Sequence, residues 1–356
     1  MDDAPDLRFA LRSRRTSLIE KTLLKESSAR RKAFSAALQQ FEEQMEAAKV
    51  VTAATRPINL YYGLVQAGLA ITAAHTPGTW TFSKHGLKVL DMRPKLPDIM
   101  LRPDGDGAFQ FVARATGSEQ LVVRAPGSEP LTDTDAVSLG ALWASLPGVC
   151  HFPLKDGTSP IALQLYSDKD VESLQYGPAH FRAEIVVNSK MPEQAEKDAW
   201  FRATMADYPA MSNATLWGDS DSAFRETHKD RFLVSVGWPV PHGKPVQDVS
   251  AEEIEVFFGR LAPQHRFEYE RFLRPPVGPE QTPPPSPLMT WWILLYTFSM
   301  LSRYQPIKWA EILDLDKSFD AAVVQHVLEI ALDVLPHLVL EALDKEPLLF
   351  QRPLRL

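Results

Sequence analysis

The chain has 356 residues, of which 45% are hydrophobic and 23% are charged. This composition is typical of a globular protein with a buried core and excludes disorder of the whole chain. Its net charge of -7 at pH 7 argues against a protein that coats nucleic acid, because that function needs many cations to neutralise phosphates. Cys150 is the only cysteine, which excludes an intramolecular disulfide and a thiolate metal site and fits a reducing compartment.

The N-terminal segment is basic, although the chain as a whole is acidic. Residues 1–32 contain nine Lys and Arg against five Asp and Glu. Such a run indicates either a solvated helix face or a docking arm for an acidic partner, with nucleic acid among the open choices. Most of the basic end is formed by Arg12, Arg14, Arg15, Arg30, Arg31 and Lys32.

Two helices are predicted next along the chain. Apolar residues recur at helical spacing over residues 27–51, which predicts an amphipathic helix with one buried stripe. Pro57 is well tolerated in a first turn and begins a second helix over residues 58–74 that is apolar almost all round. Gly63 and Gly68 would let another helix approach closely, so we expect this helix at the centre of a helical bundle.

Residues 96–274 predict a mixed α+β region. Strands are predicted at 108–115 and 119–125, joined by a turn as a hairpin, and further strands at 161–166, 181–187 and 231–238. Helices are predicted at 134–145, after a capping signal formed by Thr132 and Asp135, and at 193–205. Ser250 and Glu253 form a capping box that predicts another helix, ending near residue 272.

The last part of the chain is a connector followed by two apolar helices. Residues 275–287 contain seven prolines, which predicts a stiff polyproline-like connector. Helices are predicted at 288–303 and 319–343, with Pro336 expected to kink the second. The apolar run 288–301 is too short to span a bilayer, and the acidic N-terminus lacks the apolar core of a secretory signal. We therefore expect a cytoplasmic protein with no membrane partner.

These elements predict an α+β fold. Residues 1–95 and 288–356 would form a helical bundle, with the α+β region 96–274 and the connector 275–287 inserted between them. The apolar helices at 58–74 and 288–301 are expected partners, and their packing would bring Arg303 near Arg56 or Tyr62.

The candidate site residues lie in two polar-aromatic stretches of otherwise apolar helices, where polar groups must find partners. Two interpretations stay open. In one, Arg303 caps its helix and the tyrosines pack the bundle. In the other, Arg56 and Arg303 bind an anion, and His85 beside them acts as an acid or base near neutral pH. The candidate residues are Arg56, Tyr61, Tyr62, His85, Arg303 and Tyr304.

The sequence contains no complete catalytic or metal-binding motif of the common kinds. It has no P-loop, no G-x-S-x-G nucleophile elbow and no H-E-x-x-H zinc motif. We therefore expect neither a metal nor a cofactor. Arg260 and His265 have the Arg-to-His spacing of HEPN ribonucleases, but Pro263 interrupts the helix on which that motif lies.

The order of the polar, aromatic and small residues resembles the YaaC-like proteins of bacteria. Each matching stretch is short, and only their order over residues 56–309 is specific. The matching stretches are Arg56-Pro57, Leu60-Tyr61-Tyr62-Gly63, Gln66-Ala67-Gly68, Ala70-Ile71, His85-Gly86-Leu87, Leu139-Gly140-Ala141-Leu142-Trp143, Leu146-Pro147, Met300-Leu301-Ser302-Arg303-Tyr304, Pro306 and Trp309. The resemblance implies a bacterial cytosolic protein with terminal helices around an inserted β-containing region, and it supplies no reaction. Leu69 departs from the family pattern, in which many relatives carry a basic residue, and this weakens any role that needs a cation on that helix.

Two functional hypotheses follow from the sequence. The first is a non-catalytic interaction subunit that has a protein partner or forms a homo-oligomer, for example within a bacterial anti-phage defence or stress complex. The second is an enzyme or sensor that acts on a phosphorylated ligand or on nucleic acid through Arg56, His85 and Arg303, with a HEPN-like ribonuclease as a minor variant.

Overall fold

The protein is described by a computed structural model that covers residues 7–119, 121, 133–173, 178–261 and 271–345. Contacts between residues divide the described chain into two compact units. The first unit comprises the described residues up to Ser159 and from Val277 onwards, and the second runs from Pro160 to Pro276. The helices are α1 (Leu7–Ser17), α2 (Ser28–Val50), α3 (Arg56–His75), α4 (Ala108–Ala115), α5 (Leu139–Ala144), α6 (Lys197–Met205), α7 (Ala251–Leu261), α8 (Pro287–Tyr304), α9 (Pro306–Ile312) and α10 (Ala321–Asp344). The strands are β1 (Leu87–Val89), β2 (Met100–Pro103), β3 (Val137–Ser138), β4 (Leu163–Glu172), β5 (His180–Val187), β6 (Thr215–Leu216), β7 (Phe224–His228), β8 (Arg231–Pro239) and β9 (Arg271–Leu273).

The first unit joins both ends of the chain in one helical bundle. Helices α1, α2 and α3 contact α10, and α3 also contacts α8, which confirms the predicted α+β class and the predicted bundle of terminal segments. Helix α3 lies at its centre, against α2, α4, α8 and α10. Its close approach to α8 depends on Gly68, where a Cβ atom would lie 2.6 Å from the Trp292 ring.

A small antiparallel sheet in the first unit holds the chain between α3 and α5. Strand β2 lies between β1 and β3, with Leu87 opposite Pro103 and Leu101 opposite Val137. These strands have two to four residues. Strand β1 begins two residues after His85, so the sheet fixes the segment that carries this candidate residue.

The second unit contains an antiparallel sheet with the strand order β6-β8-β5-β4-β9, in which β7 also pairs with β8. The strands predicted at 181–187 and 231–238 are confirmed as parts of β5 and β8, and the strand predicted at 161–166 is confirmed from Leu163 onwards as part of β4. Buried aromatic residues of the sheet and of α7, including Phe181, Phe232, Trp238 and Phe258, form its core. The capping box of α7 is also confirmed, because Ser250 Oγ accepts from the Glu253 amide at 3.2 Å and a Glu253 carboxylate oxygen accepts from the Ser250 amide at 2.9 Å.

The strand predicted at 108–115 is wrong, because these residues form α4. The alternation of Phe109 and Phe111 with smaller residues imitates a strand, but Phe109, Val112 and Ala113 are the fully buried positions and have helical spacing. They face α3 and α8, which α4 contacts. Most of the second predicted strand, 119–125, lies outside the described residues.

Two further helix bounds are wrong. The helix predicted at 134–145 begins at Leu139, since Val137 pairs with Leu101 in the small sheet and Ser138 caps α5 through its hydroxyl. Thr132 of the predicted capping signal lies outside the described residues. The helix predicted to end near residue 272 does not reach that residue, because Phe272 lies in β9, where it pairs with Gln164; the described part of α7 extends to Leu261.

Helix α10 runs through Pro336. Among the described residues it is the one helix whose length and apolar composition would suffice to cross a membrane, and 61% of that stretch is buried inside the structure. Burial of this extent is also found in core helices of globular domains. Its buried positions include Val324, Val327, Leu328, Ala331 and Leu335.

Candidate functional site

Helices α3 and α8 present aromatic side chains to the segment that carries His85. Pro57 occupies the first turn of α3, where its missing N–H needs no partner. One turn later Tyr61 is fully buried, with its ring edge-on to Trp292 at a centroid distance of 6.2 Å and 5.5 Å from Tyr296. A hydrogen bond of 2.9 Å joins the Tyr61 hydroxyl to Nδ1 of His85. Burial raises the pKa of Tyr61 far above its ordinary value, so this hydroxyl keeps its proton.

Two glycines hold the His85 segment close to α4. Gly86 has φ of +78°, a conformation that L side chains rarely adopt. Its carbonyl accepts a 2.7 Å hydrogen bond from the buried Gln110 amide. A Cβ atom at Gly107 would lie 2.5 Å from the backbone nitrogen of Gly86, so only glycine at 107 lets the two segments approach this closely.

Arg303 lies in the last turn of α8 and is bound by tyrosine hydroxyls. Its Nη1 donates to the Tyr62 hydroxyl at 3.0 Å and its Nη2 donates to the Tyr304 hydroxyl at 2.6 Å. The guanidinium also lies 4.8 Å from the centroid of the Tyr304 ring, a cation–π distance. Within the described part of the chain, Arg303 has no carboxylate at ion-pair distance. The packing of α3 on α8 thus brings Arg303 to Tyr62, one of the two partners, Arg56 or Tyr62, that the sequence predicted.

The charge on Arg303 acts on its neighbours. Burial, and then the positive charge of Arg303, lower the pKa of His85 below its ordinary value. Burial raises the pKa of Tyr296 to about 12, with the Asp104 carboxylate adding to the rise and Arg303 opposing it. We call the group of Tyr61, Tyr62, His85, Tyr296, Arg303 and Tyr304 the Arg303 cluster.

Arg56 forms its hydrogen bonds with backbone carbonyls and not with the side chains of this cluster. Its Nε donates to the carbonyl of Ala48 at 3.0 Å and its Nη2 to the carbonyl of Val51 at 3.1 Å. These carbonyls lie at the C-terminal end of α2, where backbone acceptors lack partners within the helix. Arg56 therefore completes the end of α2, and five of the six predicted site residues belong to the Arg303 cluster.

The sequence prediction missed Tyr296. Its hydroxyl donates to the carbonyl of Leu87 at 2.8 Å, and its ring centroid lies 5.6 Å from that of His85. The signal was present, since Tyr296 precedes Arg303 by two helical turns and so shares its face of α8.

Most arginines of the basic N-terminal segment form ion pairs or hydrogen bonds with other parts of the protein. Arg12 and Arg15 pair with Glu42, and Arg14 pairs with Asp344. Arg30 donates to three backbone carbonyls in the last turn of α3 and just after it, including that of Ala73 at 2.8 Å. Among the described residues, no group of three or more His, Cys, Asp and Glu side chains is placed to hold a metal ion.

The chain matches the model of a known protein family. The family model described as YaaC-like protein matches residues 5–343, nearly the whole chain. No curated protein and no solved structure matches.

Proposed function

We propose that this chain, which belongs to the YaaC-like protein family, has a non-catalytic binding function. In this function the Arg303 cluster holds an anionic group of the ligand. The observation that carries the proposal is the partly buried Arg303 guanidinium, which is hydrogen-bonded to two tyrosine hydroxyls. A guanidinium has five N–H donors in a planar fork. Two of these donors are hydrogen-bonded to the tyrosine hydroxyls. The geometry of the fork suits a phosphate or carboxylate, which it binds through two parallel hydrogen bonds.

The surroundings of Arg303 support a ligand that also has an aromatic or apolar part. Tyr304 is 55% exposed, and Ile307, three residues further along the chain, is 78% exposed. Arginine and tyrosine next to exposed apolar groups are typical of the centres of protein interfaces. This favours a protein partner or a second copy of the chain as the carrier of the anion. A role within a defence or stress complex stays a prediction.

Tyr61 supports binding over catalysis. It forms the hydrogen bond to His85, and burial keeps its hydroxyl protonated. Such a hydroxyl orients the imidazole ring and is a poor nucleophile. The enzyme hypothesis stays the alternative. Its ribonuclease variant depends on Arg260 and His265, and His265 lies outside the described residues.

Titration calorimetry with phenyl phosphate tests the proposal. We expect the wild type to bind phenyl phosphate and not phenol, and Arg303→Ala to weaken binding by about tenfold or more, because a charge-assisted hydrogen bond is lost. Arg303→Lys should fall between them, since it keeps the charge and loses the fork.

Arg202→Ala is the matched control. Arg202 is exposed on α6 and bonds to the carbonyl of Asp198 in its own helix, so its loss should leave phenyl phosphate binding unchanged. Equal affinity of the wild type and a folded Arg303→Ala variant would contradict the proposal.

A further inference from the structure

The first unit contains a cavity of about 760 Å³ at the ends of three helices. Its walls come from the end of α1 and the chain after it, from the end of α3 and from the end of α10. His75 fixes two of these walls to each other, because its Nε2 lies 2.8 Å from the carbonyl of Leu343 and donates to it. The volume lies in the range of sites for small molecules, roughly 300–1,000 Å³.

The cavity walls carry an excess of positive charge. Lys21, Lys25 and Lys345 line the cavity, and within the described chain none of these three ammonium groups has a carboxylate at ion-pair distance. All three side chains are exposed. Lys345 has φ of +56° and caps the end of α10 at the edge of the cavity.

The carboxylate in the wall is already neutralised. Asp344 is the one acidic residue among the described lining residues. Arg14 donates to both of its oxygens, from Nε at 2.8 Å and from Nη2 at 2.7 Å. This bidentate pair leaves the lysine charges without a counter-charge in the cavity wall, since a bidentate Arg–carboxylate contact satisfies both partners.

We infer that this cavity binds a small molecule with several anionic groups, such as a compound that carries two or more phosphates. Three ammonium groups around one concave space suit clustered phosphates, because lysine acts as a compact and flexible point charge. The dimensions of the cavity favour a free small molecule over a nucleic acid strand, which needs an extended groove. The inference is independent of the binding proposed at Arg303, since the two sites share no residue.

The test is titration calorimetry of the full chain with tripolyphosphate. The wild type should bind it, and the double variant Lys21→Gln with Lys345→Gln should bind it at least about tenfold more weakly, since two charge-assisted contacts are lost. Lys25→Gln alone should weaken binding in the same direction, and this single variant serves if the double variant fails to fold.

Two controls separate this site from others. Lys229→Gln removes an exposed lysine outside the cavity and should leave the affinity unchanged. Arg303→Ala should also leave it unchanged, whereas loss of tripolyphosphate binding in that variant would place the anion at the Arg303 cluster and overturn the inference. Absence of binding to the wild type, or equal affinity in the lysine variants, would overturn it as well. Tighter binding of a single-stranded oligonucleotide through the same lysines would overturn the choice of a small molecule.

Discussion

At the scale of single residues, two arginines that look alike in sequence have different partners. Arg56 donates to the carbonyls of Ala48 and Val51, whereas Arg303 donates to the hydroxyls of Tyr62 and Tyr304. Both begin or end an apolar helix, so the sequence could mark them as polar groups that need partners and could not choose the partners. The choice depends on which chain segments lie nearby in the folded unit.

We expect acidification to weaken the fold through His85. Its pKa is lowered in the folded protein by burial and by Arg303, so the proton binds more readily to the unfolded chain. The free energy of unfolding should therefore fall as the pH drops below about 6.5, the ordinary pKa of histidine, and the loss is complete below the folded-state pKa. Replacing His85 by Gln should flatten this part of the profile, measured by urea unfolding from about pH 7.5 to about pH 5.

His75 contributes a similar slope, because burial lowers its pKa as well. His85→Gln should thus remove a part of the pH dependence and His75→Gln another part. The control is His228→Gln, since that side chain is exposed on β7. If the free energy of unfolding of His85→Gln depended on pH as strongly as that of the wild type, the pKa of His85 would not be lowered in the folded protein.

At the scale of helices and strands, the long apolar helices were predictable and the short elements were not. Helices α2, α3 and α8 have 18 to 23 residues, enough for helical periodicity or continuous apolar character to show. Strands β1 to β3 have two to four residues, too few to display alternation. Helix α4 was mistaken for a strand because eight residues can satisfy both periods, and contact with α3 and α8 decides between them.

The end of α2 should depend on Arg56. Arg56→Ala leaves the carbonyls of Ala48 and Val51 without their side-chain partner, and we expect a loss of about 1–2 kcal/mol in the free energy of unfolding. Arg303→Ala should cost less, since Tyr62 and Tyr304 are not fully buried and water can replace the lost donor. Urea unfolding of the two variants side by side measures the difference, and the opposite order would refute the structural role given to Arg56.

Close packing of α3 on α8 should not tolerate a side chain at residue 68. A Cβ atom at Gly68 would lie 2.6 Å from both the Trp292 ring and a methyl group of Val112. Gly68→Ala should therefore lower stability by about 1–3 kcal/mol through overpacking.

Gly259→Ala is the control for this steric effect. Gly259 lies within α7, and a Cβ atom there meets no atom within 4 Å. Alanine should raise helix stability there by up to about 1 kcal/mol. Scanning calorimetry of both variants tests the pair, and a stabilising Gly68→Ala would show that α3 and α8 do not pack this closely.

At the scale of the whole molecule, the sequence predicted that the two ends of the chain fold together, and the structure confirms it. The helices predicted at 58–74 and 288–301 have no polar face. They bury their apolar side chains most readily by packing against each other. The composition of the sites was harder to predict. The Arg303 cluster joins α3, the segment before β1 and α8, and the cavity joins Lys21 to Lys345 from opposite ends of the chain. Such combinations of residues from distant parts of the chain arise only when helix ends pack together. The local sequence does not show how close two helix ends lie in the folded protein.

The most direct test of the central claim is a crystal structure of the protein with phenyl phosphate. We predict that a phosphate oxygen lies about 3 Å from the Arg303 guanidinium, at a distance suitable for charge-assisted hydrogen bonds, with the Tyr304 ring beside the phenyl group. A structure that shows Arg303 bound to the two tyrosines alone, and the phosphate at the cavity lysines or absent from the protein, would contradict the claim.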